Sequence, residues 1–496
     1  MLSISLRPDG RRAVIVGGGN VAARKAETLV DAGFVIFVVA ERIGDRLQRI
    51  VSESGGACAQ RRYEPRDLDA ASIVIAATDS GEVNARVVAD ARAAHALVCD
   101  AASPELGDFT MPATRRVGEL TVSVDSGGGS PAFSRRVARE LSERLDESYA
   151  EAVRTLARMR AHLKEAFPPN ERAPILRALA ERPIAELAST RPTVVCATRR
   201  SPLAMIQSRA IAARLAERGI ATTMLGVTTS GDRDQTTPIE RLGEINVFVK
   251  ELESALREGR ADYAVHSCKD LAATLPDDMR IAAFSPREDA RDAFCSERYP
   301  TFESLPTGAI VGTSSARRRA QLEALRSDLK YESVRGNVDT RLRKLNSGEY
   351  DAIVLAMAGL NRLGRRAAHT VAFELDAMVP AAGQGSLAVE TRAGDDWLLA
   401  LLHACANDPQ SELCITCERA TLRAMRAGCS APLGVHAYCA GGTTIVEGAY
   451  AGERGTLARA RIERRITTLE EAEALGAEMA AHLNATTAAA ASGAAG

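Results

Sequence analysis

The stretch AVHSCKDL, residues 264–271, brings His266, Lys269 and Asp270 together at what reads as the end of a β-strand. Ala261, Tyr263 and Val265 stand at every second position just ahead of it, the period of a half-buried strand. In open α/β sheets ligands bind at the rim where strands end, so a polar cluster there marks a candidate site. A cation beside a carboxylate suits an anionic substrate whose reaction also exchanges protons. The competing reading of the stretch alone is a capped helix start, with Asp270 near the positive end of the helix dipole.

Other strand ends repeat the theme. The apolar run 193–197 leads into TRRSPLA, which places Arg199 and Ser201 at a strand-to-helix turn where they can grip a carboxylate. In VGTSSARRRAQL (311–322) a strand ends in Thr313, Ser314 and Ser315 and is followed by Arg317, Arg318 and Arg319. Arg335 and Arg341 lie in RGNVDTRL, and Arg362 lies in AGLNRLG after a buried strand at 351–358. Guanidinium forks match planar carboxylates and phosphates. One basic run usually means a solvated face; several, at successive strand ends, argue for anion recognition. Nucleic acid is disfavoured, because the clusters lack interleaved aromatics, aromatic residues are only 4% of the chain, and the net charge is −1.

Upstream, a strand at 13–16 runs into GGGNVA, the strand, glycine turn, helix pattern in which bare backbone lets a pyrophosphate approach helix N–H groups. Gly17, Gly19, Asn20 and Val21 form the turn, a helix is predicted over 22–32, and a second strand over 35–39 ends at Glu41 and Arg42, where a ribose hydroxyl would be held. Strands at 73–77 and 96–99 follow, the latter ending in Asp100. A tight structural turn is the alternative meaning of the glycines. In SGGGSP (126–131) Ser130 is a natural N-cap. One long helical stripe then runs from Val137 through Leu141, Leu145, Tyr149, Val153, Leu156, Met159 and Leu163 to Phe167. A stripe that long needs a partner surface, and homodimerisation through this half is expected.

At 496 residues the chain should hold several domains. No apolar run is long enough to cross a bilayer and no signal core leads the chain, so a cytoplasmic protein is expected. The ten cysteines are scattered, which argues for free thiols. Cys414-x-x-Cys417 has no second pair at metal spacing, so no metal site is expected. Cys429 lies in AGCSAPLG, whose glycines and proline predict an exposed turn that could present it as a nucleophile; a buried filler is the alternative. The alanine-rich tail, 486–496, is expected to be disordered.

GGGNVAARKA, AATDSGEVN (76–84), DFTMPA (108–113) and SGGGSPAFSRRVARE resemble the bifunctional precorrin-2 dehydrogenase/sirohydrochlorin ferrochelatase family over about residues 1–190. The resemblance implies a Rossmann-like NAD-binding domain (1–112) and a helical dimerisation region (113–190). It further implies NAD-dependent oxidation of precorrin-2, with ferrochelatase activity in the same family and Ser130 at the tetrapyrrole site. The slot of the family's catalytic aspartate holds Ala102, and Asp100, two positions earlier, is the candidate substitute.

TRRSPLA, VTTSGD, FVKELE, AVHSCKD, REDARDAF, VGTSSARRRAQ, RGNVDTRL, AGLNRLG, GQGSLAVE and AGCSAPLG, in that order, resemble porphobilinogen deaminase (hydroxymethylbilane synthase) over 193–484. The resemblance implies an α/β multidomain chain: two periplasmic-binding-protein-like domains (191–287 with 383–403, and 288–382) and a small α+β domain (404–485). It implies a dipyrromethane cofactor on Cys429 and Asp270 as general acid/base. Lys269, Thr313, Ser315, Arg317, Arg318, Arg335 and Arg341, with Arg199, Ser201 and Arg362, would bind the carboxylates of cofactor, porphobilinogen and growing chain. Ile245-Asn246 stands where the family usually has lysine-glycine. The competing readings are an active deaminase on a degenerate N-terminal scaffold and a non-catalytic sensor of dinucleotide and ligand.

Overall fold

The computed structural model describes every residue except 1, 128, 191–192, 229–248, 429–430, 453–455 and 494–496, together with the side chains of 189 and 489–493. It divides into two compact units, Met1–Arg154 and Thr155–Gly496.

The first unit is built on β1 (Arg12–Val16), β2 (Val35–Ala40), β3 (Ala57–Gln60), β4 (Ala71–Ala76) and β5 (Leu97–Asp100), all parallel in the order β3-β2-β1-β4-β5. The apolar run of β1 has the character of a strand covered on both faces. Ala13 and Ile15 feed one core with the helix Asn20–Ala32, while Val14 and Val16 feed another with Val87 and Val98. A hairpin, β6 (Ala113–Val117) and β7 (Leu120–Val124), comes next. The single long helix expected over 137–167 is two, Pro131–Ser142 and Glu147–Ala166. The break falls where Asp146 accepts the Ser148 N–H at 2.9 Å and restarts the helix as a cap.

The second unit begins earlier than residue 191. Met159, Leu163, Phe167, Ile175 and Leu179 are buried, and Arg218 both donates to the Ala166 carbonyl (3.0 Å) and lies over the Phe167 ring. Arg182 covers Trp397 in the same way. The helices Pro169–Ala180 and Ile184–Ser189, expected with the N-terminal half, therefore pack with the C-terminal part of the chain.

That unit carries a five-stranded sheet ordered β11-β17-β10-β8-β9 from β8 (Thr193–Arg199), β9 (Ala221–Val227), β10 (Tyr263–Ser267), β11 (Met279–Phe284) and β17 (Leu387–Arg392). A second sheet, β14-β13-β15-β12-β16, is formed by β12 (Asp292–Ser296), β13 (Ile310–Gly312), β14 (Lys330–Glu332), β15 (Ala352–Ala356) and β16 (His369–Ala372). The chain thus leaves the first sheet after β11 and returns as β17, so two crossings link the two sheets. The meander β18 (Leu433–Ala440), β19 (Thr443–Ala451) and β20 (Leu457–Arg464) packs under the helices Pro409–Ala424 and Leu469–Gly493.

Three local expectations are corrected. Residues 263–266 are all buried, because β10 lies between β17 and β8 with helices outside, so it is not half-buried. The strand at 351–358 stops at Ala356, where the helix Met357–Leu363 begins, ending at Gly364 with φ of 61°. The tail is helical to Gly493 rather than disordered from 486: alanine has the highest helix propensity, and Thr486 and Thr487 return their hydroxyls to the carbonyls of His482 and Leu483. Among the described residues no helix is long and apolar enough to cross a membrane.

Candidate active site

Lys269 and Asp270 lie in one 3-10 turn, Cys268–Asp270, directly after β10. The strand end is anchored: Gln207 donates to the Ser267 hydroxyl at 2.9 Å, and buried Cys268 leaves no room for a side chain at Gly383, where an added Cβ would sit 2.5 Å from its sulfur. This anchoring presents Asp270 to solvent and leaves Lys269 half-buried. The Lys269 ammonium donates to the Gln384 carbonyl oxygen at 3.1 Å. Burial, and then the neighbouring Arg318, push its pKa down to about 8.

Across from this turn, Ser315 caps the helix Ala316–Leu325 by accepting the Arg318 N–H, and Thr313 accepts the Ser315 N–H. Arg317 and Arg318 therefore point back into the protein from the first turn. Both bind Asp292, a residue that the sequence reading does not single out: Arg317 at 2.6 and 3.2 Å, Arg318 at 2.9 and 2.7 Å. The two guanidinium groups hold the Asp292 carboxyl far below the usual range despite its burial. Arg317 also donates to the Val379 carbonyl and Arg318 to that of Val354. Arginines expected to meet a ligand directly are thus largely committed to framing the site.

Arg341 donates to the Gly336 carbonyl at 2.8 Å. Burial, then Arg318 and Arg335, push it down to about 10, with Asp270 opposing. Lys269, Asp270, Arg317, Arg318, Arg335, Arg341 and Asp292 form one electrostatic neighbourhood rich in cations. The residues thus fit a dipyrromethane, whose acetate and propionate groups are carboxylates. Arg199 and Ser201 lie at the end of β8, next to β10, with Ser201 capping the helix Pro202–Glu217. Arg362 donates to the Gly385 carbonyl at 2.6 Å, on the second crossing. Cys429 and Ile245-Asn246 lie outside the described residues.

Gln384, which lies within GQGSLAVE, and Glu418 are likewise not singled out by the sequence reading. Glu418, fully buried on the helix Pro409–Ala424, accepts the N–H groups of Gly383 (2.6 Å) and Ala437 (2.7 Å) and pairs with Arg287 at 3.0 Å. It ties the crossing loop to the meander domain. Its only sequence signal is a charge inside an otherwise apolar helix face. For Asp292 the signal is the acid between basic residues in REDARDAF.

In the first unit Gly17 has φ of 134°, and a Cβ there would lie 2.2 Å from the Ala77 carbonyl oxygen; at Gly18 it would lie 1.8 Å from that of Arg42. Gly19 precedes the helix Asn20–Ala32 with open space around it and no side chain capping the helix. Asn20 and Val21 are exposed in the first turn. These bare N–H groups fit a dinucleotide pyrophosphate. Exposed Glu41 pairs with Arg62 at 2.9 Å, and Arg42 is exposed beside it. Ser130 caps the helix Pro131–Ser142. Asp100 is buried, and its Oδ1 accepts the N–H groups of Ala102 (2.9 Å) and Ser103 (3.0 Å), holding the turn after β5. Cys414 and Cys417 are packed in the core, and no metal-ligating cluster occurs among the described residues.

Comparison with known proteins agrees with both halves. Residues 194–400 match the porphobilinogen deaminase, dipyrromethane cofactor-binding domain, and residues 412–485 the porphobilinogen deaminase C-terminal domain. Residues 4–113 match an NAD(P)-binding family. The chain is 46% identical over 285 residues to the porphobilinogen deaminase of Albidiferax ferrireducens, spanning 57% of this chain and 90% of that protein. It is 47% identical over 259 residues to that of Roseiflexus castenholzii, spanning 52% and 85%. Among solved structures, SirC, a precorrin-2 dehydrogenase, aligns at 24% identity with a TM-score of 0.32, covering 36% of this chain and 90% of that one. Matched over nearly the full length of these curated relatives, and carrying ahead of that match a further domain similar to an NAD(P)-binding family, the chain belongs to the porphobilinogen deaminase family.

Proposed function

We propose that the second unit is a hydroxymethylbilane synthase, joining four porphobilinogens with release of ammonia on a dipyrromethane carried by Cys429. The observation that carries this is a solvent-facing Asp270 on the same turn as Lys269, with Arg318 and Arg341 in its electrostatic surroundings. The dipyrromethane supplies the pyrrole primer on which the chain grows. Lys269, Arg335 and Arg341 hold carboxylates of primer and substrate, and Arg199, Ser201 and Arg362 hold those of the incoming unit. Asp270, on the same turn as Lys269, moves the proton needed for the amine to leave as ammonia and stabilises positive charge developing on the pyrrole, a preorganised electrostatic contribution. The test is intact mass with peptide mapping of Cys429, together with Asp270→Ala. The reading requires a two-pyrrole increment on that cysteine and loss of turnover in a folded variant. An unmodified Cys429 in protein from cells with ample porphobilinogen would sink it.

The first unit is assigned NAD-dependent oxidation of precorrin-2, on the glycine turn at 17–19 and the NAD(P)-binding match. NAD supplies the hydride acceptor; the chain's part is to seat its pyrophosphate on the helix start and its ribose at Glu41. Phe133 and Leu141, exposed on the helix Pro131–Ser142, support pairing of two copies through this half. Reduction of NAD with precorrin-2 and the mass in solution test these two assignments.

A further inference from the structure

One neutral side chain joins Lys269 to the Asp292 cluster. Gln384 is 1% exposed; its Oε1 accepts from Lys269 Nζ at 3.1 Å, and its Nε2 donates to Asp292 Oδ1 at 3.0 Å and to the Ala290 carbonyl at 2.7 Å. These bonds determine which way the amide faces. Turned over, its NH2 would meet an ammonium and its oxygen a carboxylate. We propose that Gln384 is a positioning residue for the deaminase reaction: its amide aims the Lys269 ammonium at the carboxylates of cofactor and substrate and keeps Asp292 from neutralising it. The inference rests on the assignment of Lys269 to carboxylate binding.

The charged groups facing Lys269 are Arg317 and Arg318 from the helix Ala316–Leu325, Asp292 from β12, and Asp270 from its own turn. Burial and the two arginines disfavour the ammonium; a carbonyl oxygen accepting from it favours the charged form without cancelling the charge. A carboxylate in that place would saturate the cation that the ligand needs. An ammonium has three N–H groups, and among the described residues Gln384 is the only hydrogen-bond partner of this one. Two of its N–H groups carry no bond to a described residue. Gln384 also continues Asp292's coordination, so the amide links the arginine frame to the lysine.

The experiment uses the full chain as Gln384→Met and Lys269→Met, purified from porphobilinogen-replete cells. Three quantities are measured: the fraction of chain carrying the two-pyrrole mass increment, KM and kcat for porphobilinogen, and the pH midpoint of Lys269 acylation in protein lacking the cofactor, located by peptide mapping. Gln384→Met should raise KM about tenfold, the loss expected of one hydrogen bond to a charged group, with kcat changed far less. The Lys269 midpoint should fall by roughly one pH unit, because the acceptor favouring its charged form is gone. A side chain that merely packs would change neither. If KM and midpoint both stay within about twofold and about 0.2 units of wild type, while Lys269→Met is impaired, the proposal fails and the lysine assignment stands. If Lys269→Met itself loads and binds normally, both fail. Should the methionine variant not fold, Gln384→Glu decides: its protonated carboxyl can make both hydrogen bonds and its ionised form cannot. Cofactor load and activity relative to wild type should then fall from about pH 6 to about pH 8; parallel profiles would overturn the proposal.

Discussion

Replacing Asp292 with Asn keeps the shape of the side chain and removes the charge that two buried arginines share. Asp292 is fully buried and accepts three guanidinium N–H groups at 2.6 to 3.2 Å, with the Arg318 NH2 nitrogen in ion-pair contact at 2.7 Å and the Gln384 amide donating at 3.0 Å. In the Asp292→Asn variant one oxygen becomes an NH2 that faces donors, so one N–H group loses its acceptor if Oδ2 is replaced and three if Oδ1 is, and two buried guanidinium groups lose their counter-charge. Removing one partner of a buried ionic network costs about 3–5 kcal/mol. For a unit as long as Thr155–Gly496 that corresponds to a fall of roughly 4–7 °C in the Tm of the deaminase transition. Calorimetry of the full chain reads this directly, and the dinucleotide-binding unit should melt unchanged. A variant melting within about 2 °C of wild type would refute the view that this carboxylate holds the arginine frame together.

Glu418→Gln should destabilise the same transition by about 2–4 kcal/mol, since two backbone N–H groups and Arg287 share a carboxylate that the amide replaces with one acceptor; denaturant midpoints measure it. Gly17→Ala should abolish NAD binding, measured by titration calorimetry, because φ of 134° and a carbonyl 2.2 Å from the new Cβ require the turn to rearrange. Lys269 is a cation below about 8 and loses that charge as pH rises through it. Cofactor acquisition by protein lacking it, followed by intact mass, should therefore fall between about pH 7 and about pH 9; a flat profile would contradict a binding role for this lysine.

Much of this protein is legible along the chain. The strand, glycine turn and helix at 12–32 follow from local rules alone, since Gly17 must adopt a positive φ and β1 is apolar on both faces. The turn carrying Lys269 and Asp270 and the capping serines Ser201 and Ser315 follow from equally local rules, because a cap or a strand end involves residues a few positions apart. What those residues face is a different matter. Asp292, Arg317, Arg318 and Gln384 meet from separate segments, and only folding decides that the arginines spend their donors on Asp292 while Lys269 keeps a neutral partner. The same holds for Asp100, whose sequence position marks it as a catalytic substitute and whose surroundings make it the acceptor of two backbone N–H groups. Periodicity likewise found the apolar stripe of 137–167, but not the capping carboxylate that divides it or the packing that assigns its second half to the deaminase unit. Sequence alone determined the residue types, the strand ends, caps and glycine turn that follow from local rules, and the family; the tertiary structure decided how the charged side chains pair, because pairing depends on distances across the fold rather than on spacing along the chain.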